Sequence, residues 1–337
     1  MQTLQNQLIY LFYGKNPKYR QEVKFSILSA LANSARTDNF QIHIFTDSPQ
    51  DFSGWPVKIT VLDEATLSEW DGDINYNHRR KACAISTACK MADKTIFVDS
   101  DTIFLKNPSE LFDRVDANTV LVDEFEWTWQ HALTLPEYND LSRHLESTDA
   151  SPAPSLRLYN SGICGLSKDH SHIMDSVIDL IDSWEAFAKD LHTVEQIALS
   201  FNISNMKVRE ARDTVNHYYG ERNIFHSMIF LFFSTNGESF SEQLVELAKD
   251  VPNVKPKPSI IHRTLIQIKL LAVRRQVRAI IKKVMYGRAL PDSPYFDACR
   301  DSIIDHQISL LEKLKISDEE LDKFNLRRRH RAKNNAA

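Results

Sequence analysis

The sequence predicts an α/β protein: a mostly parallel central sheet covered by helices, with a helical, basic C-terminal appendage. Three observations carry that expectation. Short β-prone apolar runs at 8–13 (LIYLFY), 41–45 (QIHIF) and 57–62 alternate with helical spacing at 22–32, through Val23, Ile27, Leu28 and Leu31. Such an order builds parallel strands joined by helical crossovers. The run Ile96-Phe97-Val98 stops abruptly in Asp99-Ser100-Asp101, which puts carboxylates at the carboxyl edge of a sheet, where open α/β folds bind ligands. Finally, residues 251–291 contain no Asp or Glu but ten Lys or Arg.

A chain of 337 residues can bury a sizeable core, and 42% hydrophobic with 26% charged residues is an ordinary globular balance. A formal charge of −4 gives no bulk reason to expect a polyanion partner, and no base-reading motif points to nucleic acid. Cys83, Cys89, Cys164 and Cys299 form no CxxC pair, so free thiols in a reducing compartment are expected. No basic-then-apolar leader opens the chain. No window reaches the roughly 18 to 20 apolar residues of a spanning helix. A soluble cytoplasmic protein, or one resting on a membrane without crossing it, is expected.

In order, 8–13 is the first strand, ended by Gly14-Lys15-Asn16-Pro17. The strand at 41–45 closes in Thr46-Asp47-Ser48-Pro49, and the one at 57–62 ends at Asp63. Residues 70–76 are polar and read as a loop. A helix over 78–91 carries Arg79, Arg80 and Lys81 in its first turn and, after a polar turn at Asp93-Lys94, feeds the strand ending at Asp99. A further strand fits 119–122. Residues 124–154, with Trp127, Trp129, His131 and His144, read as an irregular insertion or lid. The stretch 158–166 (LYNSGICGL) is small and turn-rich, so backbone can approach a ligand there. Helices fit 171–188 and 192–201, the second capped by Thr193, and a short strand within 206–219 leads into His217-Tyr218-Tyr219-Gly220. In the appendage, Leu270, Val273, Val277, Ile280, Ile281 and Val284 make one apolar helical stripe among Lys269, Arg274, Arg275, Arg278, Lys282 and Lys283. A last helix fits 303–314, before the basic tail 327–331.

Two hard oxygen donors one residue apart, Asp99 and Asp101, suit a divalent cation that also holds phosphates, Mn²⁺ or Mg²⁺. Taken alone, the pair can equally be a turn and helix cap. The acidic motif with Lys94 before it, Asn160-Ser161-Gly162, Glu195-Gln196 and His217-Tyr218-Tyr219-Gly220 occur in an order that resembles the GT-A glycosyltransferases. The resemblance is to the family-eight, galactosyltransferase and glycogenin-like type, and it covers residues 8–225. It implies a Rossmann-like nucleotide-diphospho-sugar transferase domain over 1–250, with a nucleotide-binding half at 1–123 and an acceptor half at 124–250. A helical basic region follows at 251–337. The implied reaction moves a hexose from a nucleotide-diphosphate donor, UDP-linked, to a hydroxyl of a glycan or glycolipid, such as a lipopolysaccharide, capsule or other surface-glycan intermediate.

The resemblance also implies roles. Asp101 and His217 would ligate Mn²⁺ (or Mg²⁺), with Asp99 on the metal or the ribose; a lone histidine is otherwise a satisfied core residue. Ser100, Asn160, Ser161 and Gly162 would lie along the donor, Gly162 letting backbone approach its sugar. Gln196 would sit under the reacting sugar of a retaining enzyme. Glu195 stands where the family has Asp; as a general base on the acceptor hydroxyl it would instead invert the anomeric centre. Among Arg79, Arg80 and Lys81, Arg80 is the expected match to a family arginine, a solvated helix turn being the alternative. Gly220 continues the histidine motif. Glu221-Arg222-Asn223 then replaces the family's Lys-Pro-Trp, which makes Arg222 the expected diphosphate contact. Phe12, Tyr13 and Asp47, at the ends of the first two strands, would line the nucleotide pocket; core packing and a turn cap are the other readings.

The acid-free segment adds an interfacial amphipathic helix over 265–288, its apolar face among headgroups and its cations toward anionic lipid. The protein would then sit peripherally on the cytoplasmic face of the inner membrane. Packing of that helix on the domain is the alternative. Two other functions compete. Asp99-Ser100-Asp101-Thr102 nearly matches the haloacid-dehalogenase-like phosphatases, although that family carries its motif on the first strand. A membrane-peripheral, non-catalytic GT-A-fold protein is the second.

Overall fold

The computed structural model describes residues 4–35, 39–73 and 76–313, except the side chains of 4, 305, 309 and 312. The basic tail 327–331 lies outside them. The chain forms two compact units, one from Met1–Tyr219 and Glu238–Asn253, the other from Gly220–Gly237 and Val254–Ala337.

The first unit opens with β1 (Leu4–Phe12), longer than its apolar run because Gln7 is fully buried within it. The Gln7 amide donates to the Ala88 carbonyl at 2.6 Å and to Thr95 Oγ1 at 2.9 Å, which satisfies it in the core. The breaker group is also a helix start. Asn16 accepts from the Lys18 N–H and Pro17 takes the first turn of α1 (Pro17–Asn33). β2 (Gln41–Thr46) and β3 (Lys58–Val61) fall where the sequence predicts them. Asp63 caps α2 (Glu64–Asp71), accepting the Thr66 N–H at 2.8 Å, so the predicted loop at 70–76 starts as helix.

α3 (Asn77–Cys89) leads into β4 (Ala92–Val98). Asp93 and Lys94 lie within β4, not in a turn, and Lys94 Nζ donates to the Phe112 carbonyl at 2.8 Å. After β4 come β5 (Thr102–Phe104), α4 (Ser109–Phe112) and β6 (Thr119–Val122). The expected irregular lid has regular structure: β7 (Phe125–Thr128), α5 (Trp129–Ala132) and α6 (Asn139–Ser147). Trp129, Leu141 and Leu145 join the main apolar core, which is what orders it. β8 (Arg157–Tyr159) and β9 (Ile163–Ser167) confine the predicted turn-rich stretch to residues 160–162. α7 (Ser171–Ser183), α8 (Val194–Asn202), β10 (Lys207–Glu210) and β11 (Val215–His217) follow. Thr193 stands at the start of α8, but its side chain makes no cap bond. α9 (Arg222–Asn236) belongs to the second unit, and α10 (Glu242–Ala248) to the first.

Seven strands form one sheet in the order β10-β6-β9-β4-β1-β2-β3. Only β9 runs against the others, so the sheet is mostly parallel, as an α/β chain with helical crossovers requires. β4 lies between β9 and β1, and Ile96, Phe97 and Val98 are buried to 2% exposure or less. Because β9 is reversed, its beginning meets the end of β4, with Ile163 opposite Val98. A separate antiparallel ribbon pairs β5 with β11, placing His217 opposite Thr102. β7 pairs with β8 in the same way.

The second unit contains α9, α11 (Ile260–Leu270), α12 (Arg278–Arg288) and α13 (Pro294–Lys313). The single helix expected over 265–288 is therefore two helices with a connection at 271–277 between them. Its predicted membrane-facing stripe is interior instead. Leu270, Val273, Val277, Ile281 and Val284, none more than 6% exposed, form a small core with Ile266 and Leu311. Gly287 allows the approach, since a Cβ there would stand 3.3 Å from Ile303 Cγ2 on α13. Among the described residues, no helix is long and apolar enough to cross a membrane.

Candidate active site

The site forms at the carboxyl edge of the parallel strands. β4 delivers Asp99 and Asp101, and the β5–β11 ribbon folds His217 back beside them. The Tyr218 N–H donates to the Asp101 carbonyl at 3.0 Å, which ties the ribbon to the acidic loop. The Asp99 N–H donates to the Gly162 carbonyl at 2.8 Å, and Thr102 Oγ1 to the Asp99 carbonyl at 2.8 Å, so both flanks of the loop are held.

Asp99, Asp101 and His217 each offer a ligand atom, all within 4.8 Å of one another. His217 Nε2 stands 3.4 Å from Asp101 Oδ1 and 3.9 Å from Asp99 Oδ2. Ligands bonded to a small divalent cation at about 2.1 Å lie about 3 Å apart, so modest closure is enough to bring these atoms onto one ion. Nε2 is also buried without a well-aligned hydrogen-bond partner, as a nitrogen aimed at an ion would be. The donor set of two carboxylates and one imidazole fits Mn²⁺ better than Mg²⁺, which prefers oxygen alone. The ring's other nitrogen, Nδ1, lies 2.5 Å from Asp123 Oδ2. Burial alone would depress the His217 pKa, yet the carboxylates of Asp101 and Asp123 on its two sides raise it to about 10.

Gly162 has a specific reason to be glycine: a Cβ there would collide with the His217 ring. The close approach expected of a sugar is thus already made by the imidazole. Asn160 holds the same turn, its Oδ1 accepting the Gly162 N–H at 2.8 Å and its Nδ2 donating to Glu126 Oε1 at 3.1 Å. Ser161 Oγ donates to Glu195 Oε2 at 2.6 Å, and the Ser161 N–H faces Gln196 Oε1 at 3.5 Å. Glu195 is buried, its Oε1 without a partner among the described residues. Gln196 Nε2 turns to Glu126 Oε2 at 3.4 Å. Burial pushes the Glu126 carboxyl upward, and the charges of Glu124 and Asp123 add to the shift.

Lys81, not Arg80, enters this cluster. Its buried Nζ lies 3.4 Å from Asp99 Oδ2, 3.1 Å from Ser161 Oγ and 4.0 Å from Glu195 Oε2. Burial works against the ammonium, but Asp99 and Glu195 outweigh it and hold its pKa above the ordinary lysine value. Arg80 pairs with Asp71, and its guanidinium lies 4.4 Å from the centre of the Tyr13 ring. Asp47 Oδ2 accepts the Gly14 N–H at 3.0 Å, which joins the ends of β1 and β2. Phe12 is 4% exposed and meets Phe52 edge-on at 5.8 Å. Ser100 is half-buried between the two aspartates. Gly220 and Arg222 belong to the second unit, Arg222 opening α9.

The structure thus brings Asp99, Asp101, His217, Asn160, Ser161, Gly162, Glu195 and Gln196 together with Lys81, which the sequence named behind Arg80, and adds Asp123 and Glu126, which the sequence reading missed. Asp123 follows β6 as Asp99 follows β4, so the same strand-end argument finds it. Glu126 carries no such signal, since its segment is not recognisable as a strand from the sequence.

No protein-family model matches the sequence, and no curated protein sequence is similar to it. Among solved structures, the chain is similar to mouse xyloside xylosyltransferase 1 in its apo form, at 13% identity and a TM-score of 0.41, over 64% of this chain and 91% of that one. It is also similar to the apo structure of the WbbM bifunctional glycosyltransferase, at 12% identity and a TM-score of 0.44, over 74% of this chain and 52% of that one.

Proposed function

We propose that the protein is a GT-A-fold glycosyltransferase that moves a hexose from a nucleotide-diphosphate donor, UDP-linked, to a hydroxyl acceptor. The observation that carries the reading is the convergence of Asp99, Asp101 and His217, with the buried His217 Nε2 3.4 Å from Asp101 Oδ1, beside the Asn160–Gly162 turn and the Glu195-Gln196 pair. Asp99, Asp101 and His217 would hold Mn²⁺, and the ion would offset the negative charge that grows on the departing diphosphate. The ends of β1, β2 and β4, within residues 1–123, would take the nucleotide; residues 124–250 would face the acceptor.

Glu195 supports transfer with retention. It is 1% exposed and accepts from Ser161, which suits a group anchored behind the sugar better than a base that must meet an incoming acceptor. Gln196, oriented by Glu126 and the Ser161 N–H, would border the anomeric carbon. A lipid-linked or surface-polysaccharide acceptor, met at the cytoplasmic face of a membrane, completes the proposal.

The test is a screen of nucleotide-sugars for Mn²⁺-dependent hydrolysis and for a rise in melting temperature, with Asp101→Ala as control. Stabilisation by a UDP-sugar and Mn²⁺ that vanishes in the variant is the expected result. Hydrolysis of simple phosphate esters without nucleotide binding would assign the carboxylates to a phosphatase instead. Absence of both Mn²⁺ and UDP binding would leave a non-catalytic protein.

A further inference from the structure

The second unit carries an apolar surface that its own core does not use. α11 buries Ile266 and Leu270 on one side. On the opposite side Ile261, Leu265 and Ile268 recur at steps of four and three, which is one helical stripe. Ile260 and Leu271 extend it. Ile261 is 73% exposed, Leu265 49%, Ile268 58% and Leu271 78%. A helix apolar on both faces is a buried helix or one with a second apolar partner.

The rim of this stripe states what that partner is. Lys257, Lys269, Arg275 and Arg278 are exposed around α11 and its connection to α12, and no Asp or Glu occurs anywhere in 251–291. In a two-fold dimer the patch would meet itself, cations against cations. A bilayer carrying anionic headgroups satisfies both halves of the surface: acyl boundary for the aliphatic stripe and phosphate for the rim. We propose that the outward face of α11 is the docking surface for an anionic membrane. This differs from the helical stripe at 270–284, which is interior. It deepens the sugar-transfer reading by naming where a lipid-linked acceptor would be met, and it rests on that reading for its purpose but not for its measurement.

The experiment is vesicle flotation of the full chain, without donor, metal or acceptor, on phosphatidylcholine alone and on phosphatidylcholine mixed with phosphatidylglycerol. The protein is expected to float with the anionic vesicles only, and less so as salt rises. The triple variant Ile261→Glu, Leu265→Glu, Ile268→Glu is expected to lose about tenfold or more of the bound fraction with unchanged circular dichroism and melting temperature. A second variant, Lys269→Glu with Arg275→Glu, is expected to lose binding while keeping the stripe. Failure of the native chain to float overturns the proposal, as does equal binding by the triple variant. A native dimer that the triple variant dissolves, seen by sedimentation velocity without flotation, assigns the face to a second copy and overturns it too. Mn²⁺-dependent nucleotide-sugar hydrolysis is measured in free solution, so either idea can fail alone.

Discussion

Asp123 Oδ2 and His217 Nδ1 face each other at 2.5 Å, with both side chains at 5% exposure or less. One ring nitrogen is thereby occupied, and the other must turn toward Asp99 and Asp101. Metal-bound histidines are commonly oriented in this way, by a carboxylate on the far nitrogen.

Asp123→Asn keeps the shape of the side chain and removes its charge. The expected result is a loss of about 10- to 100-fold in Mn²⁺ affinity with the fold intact, measured by calorimetry or by the free Mn²⁺ resonance signal. Unchanged affinity would show that the ribbon alone orients the imidazole.

Gly162→Ala puts a methyl group where the His217 ring lies. Either the ring or the turn must give way, and the turn is held by Asn160 and by the Asp99 N–H. Mn²⁺ binding is expected to weaken at least as much as in Asp123→Asn, with a stability loss of about 1–3 kcal/mol from overpacking. Denaturant unfolding and a metal titration on the same sample measure both.

Lys81→Met leaves Asp99 and Glu195 without their shared buried cation. Removing one partner of a buried ionic cluster costs about 3–5 kcal/mol, and the partial exposure of Asp99 places this case near about 3. Added Mn²⁺ should restore part of the loss, because it supplies positive charge beside Asp99. Equal destabilisation with and without the ion would mean that Lys81 acts on Glu195 alone.

Two histidines should titrate in opposite directions, and NMR of the metal-free protein can follow both. His43, in the core and bonded to Thr60 Oγ1 at 2.8 Å, is pushed down to about 4, first by burial and then by Lys58. The unfolded chain therefore binds the extra proton between pH 6.5 and about 4, and the contribution of His43 to stability is lost as pH falls through that window. His217 is raised to about 10, so its contribution is complete below about pH 6.5 and is lost as pH rises through about 10. A His43 midpoint near 6.5, or a His217 midpoint in that range, would contradict these environments.

Periodicity and turn chemistry located β2, β3, α3 and β6 to within a residue or two, because apolar spacing and breaker residues act locally. The four ordered motifs located Asp99, Asp101, His217, Asn160 to Gly162, Glu195 and Gln196, which the fold brings side by side. What escaped depended on contacts between distant segments. Asp93 and Lys94 look like a turn until β1 and β9 pair on either side of them. Residues 124–154 look irregular until Trp129, Leu141 and Leu145 find the core. The choice between Arg80 and Lys81 turns on which face of α3 meets the sheet, and a single helical turn cannot reveal that. In the appendage the pattern correctly marked Leu270 to Val284 as one apolar side, but the side pointed inward.

The reversal of β9 has an evolutionary implication. The path from Asp123 out through β7, α6 and β8 and back to Asn160 departs from one strand end and returns to its neighbour's start. Both anchor points are clamped in the sheet, with Cys164 opposite Val122 and Ile163 opposite Val98. With Glu126 and the core side chains Trp129, Leu141 and Leu145 kept, an excursion of this kind can lengthen or shorten at its exposed turns without shifting the aspartates next door. The length of its exposed turns can therefore change while the spacing of Asp99, Asp101 and His217 stays fixed.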